Sequence, residues 1–533
     1  MKHREHLAYQ HAKGRSIGYR RLAFFWLAGV TLFHLWYIGS GALDLAPDEA
    51  HYWEWSRRLD WSYYSKGPMV AYLIAASTRL GGSSEFFVRL PAVFLALGTG
   101  VLVYLLAREL FVSDRAAFLA VLTSSGILLY AAGSILMTID APLVFFWALG
   151  VFSVCKALRV SGAGLKGAKG GIGWWGLFAL SLGLGLQSKY TMLLFLPCLW
   201  GYLLLSRSAR PYLTSREPYI GLLLGSAFFV PVLAWNAQHQ WVSLRHVMGL
   251  AGLGDGKLGA SAQTFFEFLG SQLGVVSPLL FVTLVVAIVR AGRLGLKGRK
   301  EEHLFLFLFS APFLGFFLVW SIHEKVEANW AAPAYLTAVL ALSGWWEERL
   351  RRAGSLMQEC TLAGILALVL VPGFALVAVG HFPEVLAHLG IDLPPRLDPT
   401  RRLHGWKELG AAVGRLLREP EGGELFLMSD RYQIASEMAF YVPGQPRVYN
   451  INTGRRMNQY DIWGGLDRNR GRDGLLVTGG DGEAPPSLQQ ACNVMHKVKV
   501  VETFYRGYPA QTFSVFRCRE YKGLPPPAGR AAY

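Results

Sequence analysis

Residues 44–74 read DLAPDEAHYWEWSRRLDWSYYSKGPMVAYLI, and they follow the apolar run 22–43. The stretch sets Asp48, Glu49, His51, Glu54, Arg57, Arg58, Asp60 and Lys66 among tryptophan and tyrosine rings. Charge this dense is foreign to the rest of the chain: of 533 residues, 53% are hydrophobic and 17% charged, and mean hydropathy is +0.31. A water-soluble globule of ordinary surface does not have this composition. The class implied is a polytopic α-helical membrane bundle with 44–74 in a loop above the lipid. The formal charge of +16 lies in short basic clusters between apolar runs. It does not line one soluble face, so no nucleic-acid partner is expected, and membrane lipids are.

A helix crossing roughly 30 Å of hydrocarbon needs about 20 mostly apolar residues. Besides 22–43, the runs 90–107, 116–135, 141–157, 173–188, 190–206, 218–235, 265–289, 303–321, 331–346 and 360–380 qualify, which gives about eleven spans. Alternate threading puts the basic clusters at 108–115, 156–169, 207–216, 290–300 and 349–352 on the side of the basic N-terminus, as the positive-inside rule requires. The first long loop, 44–89, and everything after residue 380 then lie on the outer side, which in a bacterial inner membrane is periplasmic.

The expected division is therefore a membrane domain over 1–380, including that loop, and a small soluble α/β domain over 381–533. In the second part DLPPRLDPTRR reads as a linker, and ELFLMSDRYQIASEMAFYVPGQPRVYN as strand, helix, strand. GLLVTGG, VMHKVKVVETFYR and TFSVFRCRE add strands, and the Pro-rich tail after Lys522 is expected to be disordered. Cys492 and Cys518 fall on these strands in a compartment that permits a disulfide. Cys155, Cys198 and Cys360 lie in or beside apolar runs as small hydrophobes.

Ionisable groups at a membrane boundary are costly to desolvate, so those that persist point to a cavity. On the outer side stand Asp48 and Glu49, Lys66 in YYSKGP, Asp140 in LMTIDAPLVFF, Lys189 in GLQSKYTMLLF, and HEKVEANW with His323, Glu324, Lys325, Glu327 and Asn329. One shared water-accessible hollow is the economical arrangement for them. Carboxylates can accept protons, and lysines suit a phosphate held while its charge grows. A transporter or lipid flippase would instead need polar groups near mid-membrane and repeat symmetry. Here the charges gather at span ends and no internal repeat is evident.

Taken together, the acid pair after the first span, AHYWEWSRRLDWSYYSKGPMVAYLI, TIDAPLVFFWALG, GLGLGLQSKYTMLL and HEKVEANWAAPAYL resemble the bacterial protein-mannosyltransferase superfamily of integral-membrane glycosyltransferases. The pattern is similar to family 39 and to the aminoarabinose lipid A transferases, over about residues 20–350. The resemblance implies a superfamily C fold with juxtamembrane helices in the first outer loop. It also implies a sugar donor carried on a polyprenyl phosphate and an acceptor that is lipid A, another envelope glycan or protein. No nucleotide-binding fingerprint or P-loop is seen.

The same resemblance suggests roles. Asp48 is the expected general base of an inverting displacement, although an acid after Pro47 also suits a helix start. Glu49 and Asp140 join it as acidic members of the site, and the three would also suit a divalent metal, although none is required for the chemistry. Lys66, Lys189 and Lys325 are assigned to the donor phosphate. So is His51, which stands where the aminoarabinose transferases have an arginine. Tyr63, Tyr64, His323, Glu324, Glu327 and Asn329 are assigned to substrate. Arg431, Tyr432, Arg455, Arg456, Asn458 and Asp461 read as ordinary surface of the outer domain or as acceptor contacts.

Overall fold

Helices form where the apolar runs lie. The computed structural model describes residues 2–160, 171–250, 260–391, 398, 400–419 and 424–524. Among these, seven helices are long and apolar enough to cross a membrane: Gly18–Gly39, Glu85–Phe111, Asp140–Leu158, Glu217–Gln238, Pro278–Leu296, Glu301–Trp320 and Leu356–His381. The chain is thus a multi-pass helical membrane protein. The Pro-rich tail, the basic run at 161–170 and part of the linker before the second domain lie outside the described residues.

Several expected runs are interrupted for identifiable reasons. The run 265–289 is two helices, Ala262–Val276 and Pro278–Leu296, separated by Ser277 at φ 78°. Pro278 lacks an amide hydrogen and suits the first position of the second helix. The run 116–135 divides into Asp114–Ser125 and Leu128–Gly133 around Gly126. There the Leu356–His381 helix comes so close that a Cβ on Gly373 would meet the Gly126 carbonyl at 2.4 Å.

The chain falls into two compact units. The first comprises Met1–Trp36, Leu90–Leu233 and Ala251–Phe382. Its core includes the Ala332–Arg352 helix, buried at nearly every position from 332 to 344, as expected for a helix apolar on all sides. Trp147 packs edge-on against Phe195 and Phe313 at 5.0 and 4.8 Å.

The second unit comprises Tyr37–Arg89, Ala234–Leu250 and Pro383–Tyr533. The first long loop therefore groups with the C-terminal part, a grouping the division at residue 380 does not draw. Its five-stranded sheet contains β1 (Phe426–Ser429), β2 (Val448–Asn450), β3 (Gly474–Gly479), β4 (Cys492–Tyr505) and β5 (Tyr508–Tyr521), in the order β2-β1-β3-β5-β4. β1 runs parallel to β2 and β3, whereas β5 is antiparallel to β3 and β4. The helix Tyr432–Tyr441 connects β1 to β2, as the strand–helix–strand reading expects. Arg506 and Gly507, both at positive φ, make the tight turn that an antiparallel hairpin favours. Cys492 and Cys518 form a disulfide between β4 and β5.

Candidate active site

In the second unit the first loop is fixed from its start. Pro47 opens the helix Pro47–Ser56, here the acid helix. Glu49 Oε2 accepts the Ala46 amide at 2.9 Å, which satisfies one of the N–H groups a helix start leaves unpaired. Arg89 closes on the same carboxylate, with Nη2 at 2.8 Å and Nε at 3.1 Å, and donates to the carbonyls of Leu43 at 2.9 Å and Asp44 at 2.6 Å. Glu49 is fully buried and Arg89 nearly so. Asp48, one position earlier and so turned away around the helix, is exposed. Its Oδ1 accepts a hydrogen bond from the Tyr432 hydroxyl at 3.2 Å.

The next turn of the acid helix is closed to ligands. His51 Nε2 accepts from Trp55 Nε1 at 3.2 Å, which leaves Nδ1 to donate to Ser436 Oγ at 3.0 Å. Burial pushes the imidazole down to about 3, so it stays neutral. Glu54 is buried and pairs with Arg57 at 3.0 Å and Arg58 at 3.4 Å. Burial raises the Glu54 carboxyl above its ordinary value, and the two arginines oppose the shift. Lys66 is half-buried in its turn. It lies near His246, whose imidazole is lowered to about 3 by burial first and then by the charges of Arg456 and Lys66.

In the first unit three residues distant in sequence converge. Asp140 sits in the first turn of Asp140–Leu158, where a carboxylate complements the helix dipole. Lys189 extends from the break between Ile172–Ser188 and Tyr190–Leu194. Its ammonium lies 2.6 Å from Asp140 Oδ1 and 5.7 Å from the centre of the Trp330 ring. Asn329 Nδ2 donates to Asp140 Oδ2 at 2.6 Å. Asp140 and Asn329 also line a cavity of about 480 Å³ whose other walls are mainly apolar, including Leu97, Val103, Val144, Leu336 and Phe374. That is room for a single ligand of largely apolar character.

The family described as dolichyl-phosphate-mannose-protein mannosyltransferase matches residues 65–235. The lipid A galacturonosyltransferase RgtD of Rhizobium johnstonii is 30% identical over 346 residues, covering 64% of this chain and 68% of that protein. The chain belongs to the protein-mannosyltransferase and aminoarabinose-transferase family of membrane glycosyltransferases. An undecaprenyl phosphate-alpha-4-amino-4-deoxy-L-arabinose arabinosyl transferase of Pectobacterium atrosepticum is 25% identical over 382 residues, 66% of each chain. The fold is shared with ArnT from Cupriavidus metallidurans, solved in the apo state and bound to undecaprenyl phosphate, at TM-score 0.59 and 15% identity over 93% of this chain and 97% of that one.

Against this glycosyltransferase framework, several residues expected at the site have other work. Glu49, grouped with the catalytic acids and possible metal ligands, has its carboxylate enclosed by Arg89 and the helix start. His51 cannot hold a phosphate, because both ring nitrogens are engaged and the ring is buried. Tyr63 is not open to substrate: it is fully buried, stacks on Trp55 at 4.3 Å, and its hydroxyl bonds the carbonyls of Trp55 and Arg58, each at 3.1 Å. Tyr64 is buried against Trp235 and Val242, with its amide on Gln459 Oε1 at 2.7 Å.

In the loop HEKVEANW, Asn329 reaches Asp140. Lys325 instead pairs with Glu327 at 3.2 Å, with side chains 69% and 58% exposed, and such a pair contributes little. His323 and Glu324 are half-buried at the end of the preceding helix, each amide bonding the Trp320 carbonyl. Both Asp140 oxygens are bonded, by Lys189 and Asn329, so this carboxylate ties the cluster together. Among the described residues no group of three or more His, Cys, Asp and Glu side chains is placed to hold a metal.

Sequence reasoning passed over Arg89, although an arginine inside the apolar run EFFVRLP signals a partner. Tyr432 reads as ordinary surface or an acceptor contact, and nothing local to that residue marks it as a partner of Asp48.

Proposed function

We propose that this enzyme moves a sugar from a polyprenyl-phosphate donor to lipid A or a related envelope glycan on the periplasmic face of the bacterial inner membrane. The observation that carries this reading is the exposed, hydrogen-bonded Asp48 carboxylate, in a chain related to a lipid A glycosyltransferase over two thirds of its partner's length. In the proposed reaction Asp48 takes the proton of an acceptor hydroxyl as that oxygen attacks the anomeric carbon. The carbon–oxygen bond to the polyprenyl phosphate breaks in the same displacement, which inverts the anomeric centre. Lys66 is the proposed counter-charge for the departing phosphate. The Asp140–Lys189–Asn329 cluster is proposed to form a neutral polar end to the apolar cavity, which suits the hydrocarbon chain of a lipid substrate. The Cys492–Cys518 disulfide supports an oxidising, periplasmic setting for the second unit.

The test uses purified full-length protein with undecaprenyl phosphate-linked galacturonate or 4-amino-4-deoxy-L-arabinose as donor and lipid A as acceptor. Release of free undecaprenyl phosphate is followed by mass spectrometry. Turnover is expected with at least one donor and is expected to be lost in Asp48→Asn. Undiminished turnover in that variant would remove Asp48 from the chemistry.

A further inference from the structure

The acid helix docks on the helix Tyr432–Tyr441 of the same compact unit, from a part of the chain almost 400 positions later. The second helix presents Tyr432, Ser436 and Phe440, spaced four apart and so on one face. Each meets a different residue of the acid helix. The Tyr432 hydroxyl donates to Asp48 Oδ1 at 3.2 Å, Ser436 Oγ meets His51 Nδ1 at 3.0 Å, and the Phe440 ring lies edge-on to Trp53 at 4.9 Å. Ser436 is held in turn by the Tyr460 hydroxyl at 2.9 Å. The Tyr432 ring rests against His51 with centroids 4.8 Å apart.

These contacts leave the hydroxyl little freedom to leave Asp48. We propose that Tyr432 is a positioning residue for the Asp48 carboxylate, its hydroxyl fixing Oδ1 and with it the plane in which the base meets the acceptor. The inference rests on the reading of Asp48 as base. Burial, and then the neighbouring Asp48 charge, hold the Tyr432 phenol above its ordinary value, so it remains a donor throughout the working pH range. Charged or titratable groups near this corner include Arg456, which acts on Tyr432 from the segment after β2; neutral His51; Tyr460, stacked on His51 at 5.5 Å; and Glu49, paired with Arg89.

A hydrogen bond donated to the charged form of a carboxylate favours that form. Tyr432→Phe keeps the ring against His51 and removes only the donor. We expect kcat to fall about ten-fold and KM for the donor to stay within about two-fold. The acid limb of the kcat/KM profile should move up by about one pH unit. Ser436→Ala, on the same helix face but off the acid, should leave that limb in place. 3-Fluorotyrosine at position 432 preserves packing and strengthens the donor, so it should move the limb to lower pH even if the Phe variant folds poorly.

An acid limb unmoved by both changes at position 432 would overturn the inference, as would an equal shift in Ser436→Ala. Loss of turnover in Asp48→Asn combined with an unmoved limb would overturn this inference alone. Full turnover in Asp48→Asn would take the reading of the base down with it.

Discussion

Asp48 and Asp140 both stand in the first turn of a helix, and the two compact units treat them in opposite ways. In the membrane unit Asp140 is half-buried, with an ammonium on one oxygen and an amide on the other, both at 2.6 Å. In the second unit Asp48 is exposed beside a tyrosine hydroxyl, while its neighbour Glu49 takes the buried, arginine-paired place. An acid that must take up a proton during turnover cannot also be the anchor of its loop. On the proposed reading of Asp48 as base, the two tasks fall to adjacent residues in one unit, and Asp140 takes the anchoring task in the other.

The sharpest break of this comparison is in activity. Asp48→Asn should lower turnover about a thousand-fold, the range of a lost general base, while the melting temperature of the protein stays unchanged. Lys189→Met should do the converse and destabilise the membrane unit by about 2–3 kcal/mol, because it leaves the half-buried Asp140 carboxylate with Asn329 but without its counter-charge. Thermal unfolding of the detergent-solubilised protein reads this, and a Lys189→Met/Asp140→Leu double variant should recover most of the loss. If Asp48→Asn unfolds the protein while Lys189→Met leaves its stability unchanged, the contrast is reversed.

Smaller effects sharpen the picture within the second unit. Cys492→Ser with Cys518→Ser opens a link between residues 26 apart and should cost about 3 kcal/mol with turnover retained below the melting transition. The acid helix should also weaken with acidification. His51 has an ordinary value of 6.5 that folding lowers to about 3. The unfolded chain therefore binds this proton first, and stability present above pH 6.5 is lost as pH falls toward 3. At pH 5 this term is about 2 kcal/mol. His246 acts with the same sign, so His51→Gln should flatten the decline between pH 7 and 5 without abolishing it.

Much of the architecture is legible in the sequence because it rests on local pattern. The apolar runs become helices, and the segment from ELFLMS to PRVYN becomes β1, a helix and β2. The breaks at Ser277–Pro278 and Gly126 are local too, and a run-length criterion passes over them. Asp140, Lys189 and Asn329 stand out because a charge or amide between apolar runs is conspicuous, and the structure brings them together across as many as 189 positions.

What escapes is the choice between exposed and buried among adjacent polar residues. Glu49, His51 and Tyr63 look as available as Asp48 until their partners are known. Of those partners only Arg89 carries a local mark, its charge inside an apolar run; Ser436 and the carbonyls of Trp55 and Arg58 carry none. The grouping of the first loop with the C-terminal part is hidden for the same reason.

The docking of the acid helix on a helix 385 positions downstream also sets a timetable for biosynthesis. At 5–20 residues per second, the ribosome needs on the order of 20–80 s after making His51 before Ser436 exists to receive it. Throughout that interval the aromatic face of the nascent first loop waits uncovered while the intervening helices enter the bilayer. A chain stalled before its sheet is made would hold an inserted bundle and a half-covered acid, and the membrane's quality-control proteases would have a ready handle to recognise.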